Sequence, residues 1–235
     1  MALAYKGLAS SELLSTYQTE RIPVVTHMLA ATSNLYTHLV PKESDTNDTD
    51  TNKTGFLQWR DQSLRMYDIN YRWSPIVYDV RGTVGLDDDE LKARAYVGYP
   101  DGNVHAGDRA PDAPALVGSD STETALFSIF KPYYHTILVF APETAMAGVE
   151  GVVTAAQAFP EGTVRTIILG RDGIPSAVAG AEAYHDKEGH AYKTYHVPED
   201  ALTIVVVRPD SYVGCFAHDV EAVQKYFSRI FASTD

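Results

Sequence analysis

The sequence holds a single cysteine, Cys215, among 235 residues. One thiol excludes an internal disulfide and any metal cage built from cysteines. Basic residues are also scarce, with 19 Lys and Arg against 31 Asp and Glu and a formal charge of −12. Phosphate backbones repel such a chain, and no basic stripe with interleaved aromatics offsets this, so a nucleic-acid partner is not expected. No apolar run approaches the length of a membrane span. The opening MALAYKGLASSELL lacks the charged start, long apolar centre and cleavage site of a secretory signal, so a cytoplasmic location is expected.

What is present suits a folded domain. Hydrophobic residues make up 45 % of the chain, which is enough at this length to bury a proper core. Residues 1–41 predict a helical segment in two parts. The first covers 10–21, opened by Ser10 or Ser11, with Leu13, Leu14 and Tyr17 at helical spacing. Pro23 suits the first turn of the second, whose stripe is Val24, Met28, Ala31, Leu35 and Leu39, with Pro41 ending it. The stretch KESDTNDTDTNKTG, residues 42–55, has no hydrophobic residue and predicts a flexible polar loop. Residues 56–105 mix aromatics with the acidic run Asp87–Glu90 and predict irregular structure with one or two short strands.

From 106 to 235 the pattern is more regular. Strands are expected at 113–117, 135–142 and 164–170, and helices at 122–130 and 145–159. A hairpin is expected over 201–216 around Pro209, Asp210 and Ser211, followed by a helix over 219–231. Residues 174–196 give no clear pattern. The resulting order, βαβ and then ββα, predicts an α/β, thioredoxin-like domain, a central mixed sheet flanked by helices, preceded by the N-terminal helical extension.

Thioredoxin chemistry needs a cysteine on the turn between a buried strand and the next helix, where the helix N-terminus stabilises a thiolate. The corresponding turn, VFAPETAMAG at 139–148, has none, and Thr144 is its one nucleophile-like side chain. Cys215 falls on the second hairpin strand, where a small buried hydrophobe is the expected role. A thioredoxin fold without CxxC is therefore predicted.

Fifteen tyrosines and eight histidines leave other candidates. In NVHAGDRAP, His105, Asp108 and Arg109 gather an acid–base group beside an ion pair, and His105 and Asp108 are taken as candidate catalytic residues. INYRWSP adds Tyr71 as a third catalytic candidate, with Arg72 and Trp73 as a cationic and aromatic platform for substrate. Arg109, Tyr134 and His135 complete the candidate substrate-binding set. The plainer reading is that Tyr71–Trp73 serve the core and that the Tyr–His pairs at 134–135, 184–185 and 195–196 are incidental, since neighbours in an extended segment face opposite ways. His185 and His190 flank DKEG at a spacing that matches no metal-ligand frame, so neither metal nor cofactor is expected.

Three motifs in order carry a resemblance. YKGLASSELLSTYQTERIPVV resembles the segment by which FAD-dependent aromatic hydroxylases of the phenol 2-monooxygenase type leave their flavin domain. AGDRAPDAPAL is similar to the Gly-x-Arg-x-Pro lead-in to their C-terminal thioredoxin-like domain, and there Arg109 resembles a structural clamp between segments. VVVRPDSYVG is similar to that domain's Arg-Pro-Asp-Gly-Tyr hairpin, with Ser211 in place of glycine. The family's dinucleotide fingerprint, Gly-x-Gly-x-x-Gly between a strand and a helix, is missing from this sequence. The resemblance thus implies a C-terminal part lacking the FAD domain and independent of flavin. Two functions follow as expectations. The first is binding of a phenolic or polyketide-derived molecule and a non-redox cyclisation, isomerisation or dehydration by acid–base catalysis. The alternative is a non-catalytic dimerisation or accessory module, as a homodimer or with a separate flavoprotein, as the family's use of this domain in subunit contacts implies.

Overall fold

A computed structural model describes residues 2–10, 12–39, 67–82, 85–142, 145–198 and 200–232. The polar stretch 42–55 and Thr144 lie outside the described residues. The chain begins with a short helix α1 (Ala2–Tyr5) and a long one, α2 (Leu13–Leu39). The two-part reading of this segment is corrected: α2 runs unbroken through Pro23. Proline removes a helical N–H and leaves the carbonyl four residues earlier without its donor. That carbonyl, on Thr19, instead accepts the indole N–H of Trp73 at 2.9 Å, so the helix continues.

After β1 (Tyr78–Asp79) comes α3 (Asp88–Ala93). The acidic run expected to be irregular opens this helix. The Asp87 side chain accepts from the Asp89 and Glu90 amides, and Glu90 reaches back to the Asp87 amide, which makes a full capping box. Next are β2 (Leu116–Gly118), β3 (Glu123–Thr124) and α4 (Leu126–Ile129). The helix expected over 122–130 is therefore a two-residue strand followed by one helical turn. Then follow β4 (His135–Phe140), α5 (Met146–Gln157), β5 (Val164–Gly170), β6 (Ala181–Asp186) and α6 (His190–Thr194). The chain closes with β7 (Thr203–Val207), β8 (Val213–Ala217) and α7 (Val220–Phe227).

The strands form one sheet in the order β1-β8-β7-β4-β5-β6-β2-β3. At its centre β4 and β5 are parallel, β7 runs antiparallel to β4, and β8 pairs antiparallel with β7. This βαβ unit joined to a ββα unit is the thioredoxin-like core, as expected. Helices cover both faces, so β4 and β7 are buried at every position and read as apolar runs rather than alternating ones. Alternate residues still serve different faces. Leu138, Phe140, Val205 and Val207 meet Tyr192 and Tyr195 of the α6 side. Ile137, Val139, Ile204 and Val206 meet Val149 and Val152 of α5 and Val223 and Phe227 of α7.

A third apolar cluster fastens α2 to the rest. Val24 packs with Ile69, Tyr71, Trp73, Leu91, Tyr96 and Tyr212. Glu20 anchors the same face: its carboxylate takes Arg208 Nη1 at 2.7 Å and the Ser74 hydroxyl at 2.7 Å, and it is buried. Of the stripe expected for this helix, Val24 is buried, Ala31 is half-buried and Met28 is exposed, while the side chains of Leu35 and Leu39 lie outside the description.

Candidate functional site

The segment 105–110 is threaded between the hairpin and residues 71–72. Its Gly107 amide donates to the Val213 carbonyl at 2.7 Å and its carbonyl accepts from the Tyr71 amide at 2.8 Å. Gly107 has φ +97, and a Cβ there would lie 2.5 Å from Arg72 Cα. Only glycine tolerates both the backbone conformation and the close approach. The glycine of the Gly-x-Arg-x-Pro motif is thus a crossing point of two backbones.

That crossing brings together three of the residues singled out from the sequence. Arg72 Nη2 meets Asp108 Oδ1 at 2.6 Å, and Arg72 Nη1 donates to the Val97 carbonyl at 3.1 Å. Asp108 Oδ2 accepts from the His105 amide at 2.8 Å. Burial raises the Asp108 carboxyl, against the pull of the Arg72 guanidinium. His105 is buried and stacked on Tyr99, with ring centroids 3.7 Å apart. Its Nε2 lies 2.9 Å from Asp101 Oδ2 and its Nδ1 3.5 Å from Asp79 Oδ2. Burial disfavours the imidazolium, but the two carboxylates outweigh it and the His105 pKa is raised. Burial likewise opposes the Asp79 carboxylate, yet Arg81, His105 and the Ala106 amide hold it below the usual carboxylate range. This is a charge network whose ionic groups are paired with one another, while Arg72 Nε and Tyr99 Oη have no hydrogen-bond partner among the described residues.

The other candidates lie elsewhere. Tyr71, next to Arg72 but pointing the other way, packs against Tyr212 at 4.6 Å and Trp73 at 6.2 Å, within the α2 cluster. Trp73 spends its N–H on Thr19. Arg109 is exposed beside the Tyr212 ring and pairs in a bridge with Tyr212, a position that fits a clamp onto the hairpin. Tyr134 donates to the Ile129 carbonyl at 2.7 Å and accepts from Arg165 Nη1 at 2.7 Å. His135 opens β4 inside an aromatic shell of Tyr226, Phe227 and Phe231, where burial, aided by the Arg208 charge, pushes it down to about 3. Tyr99, Asp101, Asp79 and Arg81 were not signalled by the sequence, because no spacing rule links 79, 101 and 105.

Beside the network is an open groove of about 480 Å³, lined by Arg72, Tyr99, Asp108 and Arg109 together with Lys193 and His196 of the α6 end. His105 is not among its lining residues; it sits behind Tyr99.

Cys215 is fully buried on β8, its thiol pushed up by burial, which suits the structural role expected of it. Among the described residues no group of three His, Cys, Asp or Glu converges as a metal site. The His185 ring nitrogen meets the Arg171 carbonyl and that of His190 meets Glu188, so the two do not face one centre. Two glycines within α5 are closely packed: a Cβ on Gly148 would meet Leu202 Cδ2 at 2.8 Å, and one on Gly151 would meet Val220 Cγ2 at 3.2 Å. No helix of the described residues is long and apolar enough to cross a membrane.

The chain can be compared with known families. Residues 157–235 match the phenol hydroxylase C-terminal dimerisation domain. The resemblance carried by the three motifs is thereby supported over the final third of the chain. A structure of the flavin-dependent monooxygenase PieE in complex with FAD and substrate overlays 97 % of this chain at a TM-score of 0.59 and 18 % identity, a likeness of fold. The chain spans only 42 % of that enzyme's length. Thioredoxin peroxidase I of Plasmodium yoelii overlays 50 % of this chain and 83 % of its own, at 18 % identity and a TM-score of 0.39. The thioredoxin domain of a thiol-disulfide oxidoreductase of Bacteroides vulgatus overlays 53 % of this chain and 99 % of its own, at 10 % identity and a TM-score of 0.41. No curated protein sequence matches the chain.

Proposed function

We propose that this chain is an assembly module that pairs with a second copy of itself, as part of a flavin-dependent aromatic hydroxylase system, and is not itself a catalyst. The observation that carries the reading is the second apolar face of α2. One face, with Thr16, Glu20 and Val24, is buried against the domain. On the opposite side Leu14, Ile22, Val25, Leu29 and Tyr36 fall within an arc of roughly 80° on a 3.6-residue helix. These five are exposed, from 44 % at Val25 to 70 % at Tyr36. Gln18 and Thr32 are the polar residues within that arc, and an exposed, largely apolar face of this kind marks an interaction surface.

The same helix and the residues leading into it are fixed to the region that matches a dimerisation domain. Glu20 pairs with Arg208, the Ser10 hydroxyl donates to the Arg229 carbonyl at 2.8 Å, and Ala9 bridges to Phe231. Its outer face is therefore held in place by contacts to the domain, which lowers the entropic cost of pairing.

The competing reading, acid–base catalysis on a phenolic or polyketide-derived molecule, has less support. The His105 imidazole is already held between two carboxylates and behind Tyr99, so it has no free nitrogen to offer a substrate. A separate flavoprotein is the other candidate for the α2 face.

Molar mass in solution tests the proposal. Light scattering after size exclusion is expected to give twice 25.8 kDa at micromolar concentration, and Val25→Glu with Leu29→Glu is expected to give the monomer with unchanged circular dichroism. A parent protein that remains monomeric under these conditions would refute self-pairing, and a dimer unaffected by the paired substitutions would refute the role of α2.

A further inference from the structure

The groove beside the Arg72–Asp108 pair has features that the charge network and the assembly reading leave unused. Its floor is apolar, formed by Ile69, Tyr99, Val104 and Pro111. Its rim carries two exposed cations, Arg109 and Lys193, for which no ion pair is found among the described residues. Its volume is within the range of small-molecule sites, which combine apolar walls with a few placed polar groups.

His196 adds a second, independent observation. It follows α6 with φ +52, the left-handed conformation that glycine normally supplies at a helix end. The Val197 amide closes that end on the Tyr192 carbonyl at 2.9 Å. Holding a histidine there places an exposed imidazole on the wall shared by this groove and the adjoining one, which Arg171 and Tyr192 also line. Strained non-glycine residues of this kind gather at ligand sites. Two further lining residues carry buried polar atoms without a partner among the described residues, Arg72 Nε and Tyr99 Oη.

We propose that the groove between residues 67–72, the 98–111 loop and the end of α6 binds a small aromatic monocarboxylate. Arg109 and Lys193 take the carboxylate, His196 donates a hydrogen bond to it, and the ring lies on Ile69, Val104 and Pro111. A monoanion is favoured over a phosphate-like dianion because Asp68 and Asp108 also line the groove and repel added negative charge. The apolar floor would be unused by an inorganic ion.

Amide shifts in a heteronuclear NMR titration of the whole chain test this, with benzoate, benzamide and inorganic phosphate as probes at low salt. Benzoate is expected to shift amides in 98–110 and 192–197 saturably, benzamide to bind more weakly, and phosphate more weakly still. Arg109→Gln and Lys193→Gln, both at exposed positions, are each expected to raise the benzoate Kd about threefold, and roughly tenfold together. Benzoate leaving those amides unmoved, phosphate binding more tightly than benzoate, or the double variant binding like the parent would each overturn the proposal. These shifts report the groove whether or not the chain dimerises, so this site and the assembly reading fail separately.

Discussion

Trp73 donates its indole N–H to the Thr19 carbonyl, the oxygen that Pro23 deprives of a helical donor. A proline in a helix interior ordinarily kinks or ends it. Here a side chain 54 residues away replaces the missing bond and, by its bulk, fills the cluster under α2. Trp73→Phe should cost about 1–2 kcal/mol, mostly the penalty of a buried carbonyl left unpaired. In a Pro23→Ala background residue 23 again supplies a donor, so the same substitution should cost less. A urea double-mutant cycle that finds equal costs would show that the indole bond is not compensating for the proline.

Glu20 and Arg208 are a buried pair joining α2 to the hairpin, with Asp210 also on the guanidinium at 2.7 Å. Removing one partner leaves a buried charge uncompensated. Arg208→Met is expected to destabilise by about 3 kcal/mol or more, and Glu20→Met with Arg208→Met by clearly less than the sum of the single changes. Chemical denaturation of the four proteins measures this.

His135 titrates in the acid direction. Its folded pKa is depressed to about 3 from 6.5, so the unfolded chain binds the extra proton first as pH falls. The stability it contributes is complete above about 6.5 and is withdrawn below it, at up to about 1.4 kcal/mol per pH unit. His135→Phe suits the shell of Tyr226, Phe227 and Phe231 and also removes an unpartnered Nδ1. The midpoint of acid unfolding, followed by near-ultraviolet circular dichroism, should therefore move to lower pH. A midpoint that stays put would mean other groups govern acid unfolding.

His105 has the opposite sign. Its folded pKa is raised above 6.5 by Asp79 and Asp101, so the stability it contributes is present below 6.5 and lost as pH rises through the folded value. Stability of the parent should thus decline as pH rises above 6.5 relative to His105→Gln, which is expected to be less stable at pH 6 and to show a flatter profile. Thermal melts from pH 6 to 9 compare the two.

Ser211 holds φ +64 in the hairpin turn, where the related hairpins resembled by this sequence carry glycine. Ser211→Gly should relieve a left-handed backbone penalty, partly offset by the freer unfolded chain, for a net gain of about 0.5–1 kcal/mol. Heat denaturation detects it, and a loss of stability would mean the serine side chain contributes more than its backbone costs.

The amino-acid pattern alone determined the thioredoxin-like core, because strands buried on both faces and helices with one apolar stripe leave few ways to layer them. It also determined that Cys215 is placed on an inner strand, away from the turn where a reactive thiol would sit. Tertiary structure decided what the motifs are for. Gly107 is where two backbones cross, Arg208 is the anchor of α2, and His105 is locked between carboxylates from positions 79 and 101, a grouping that no local spacing encodes. The unbroken course of α2 was likewise settled by a partner distant in sequence. Local preference ends a helix at proline, and only a long-range donor to the freed carbonyl reverses that outcome.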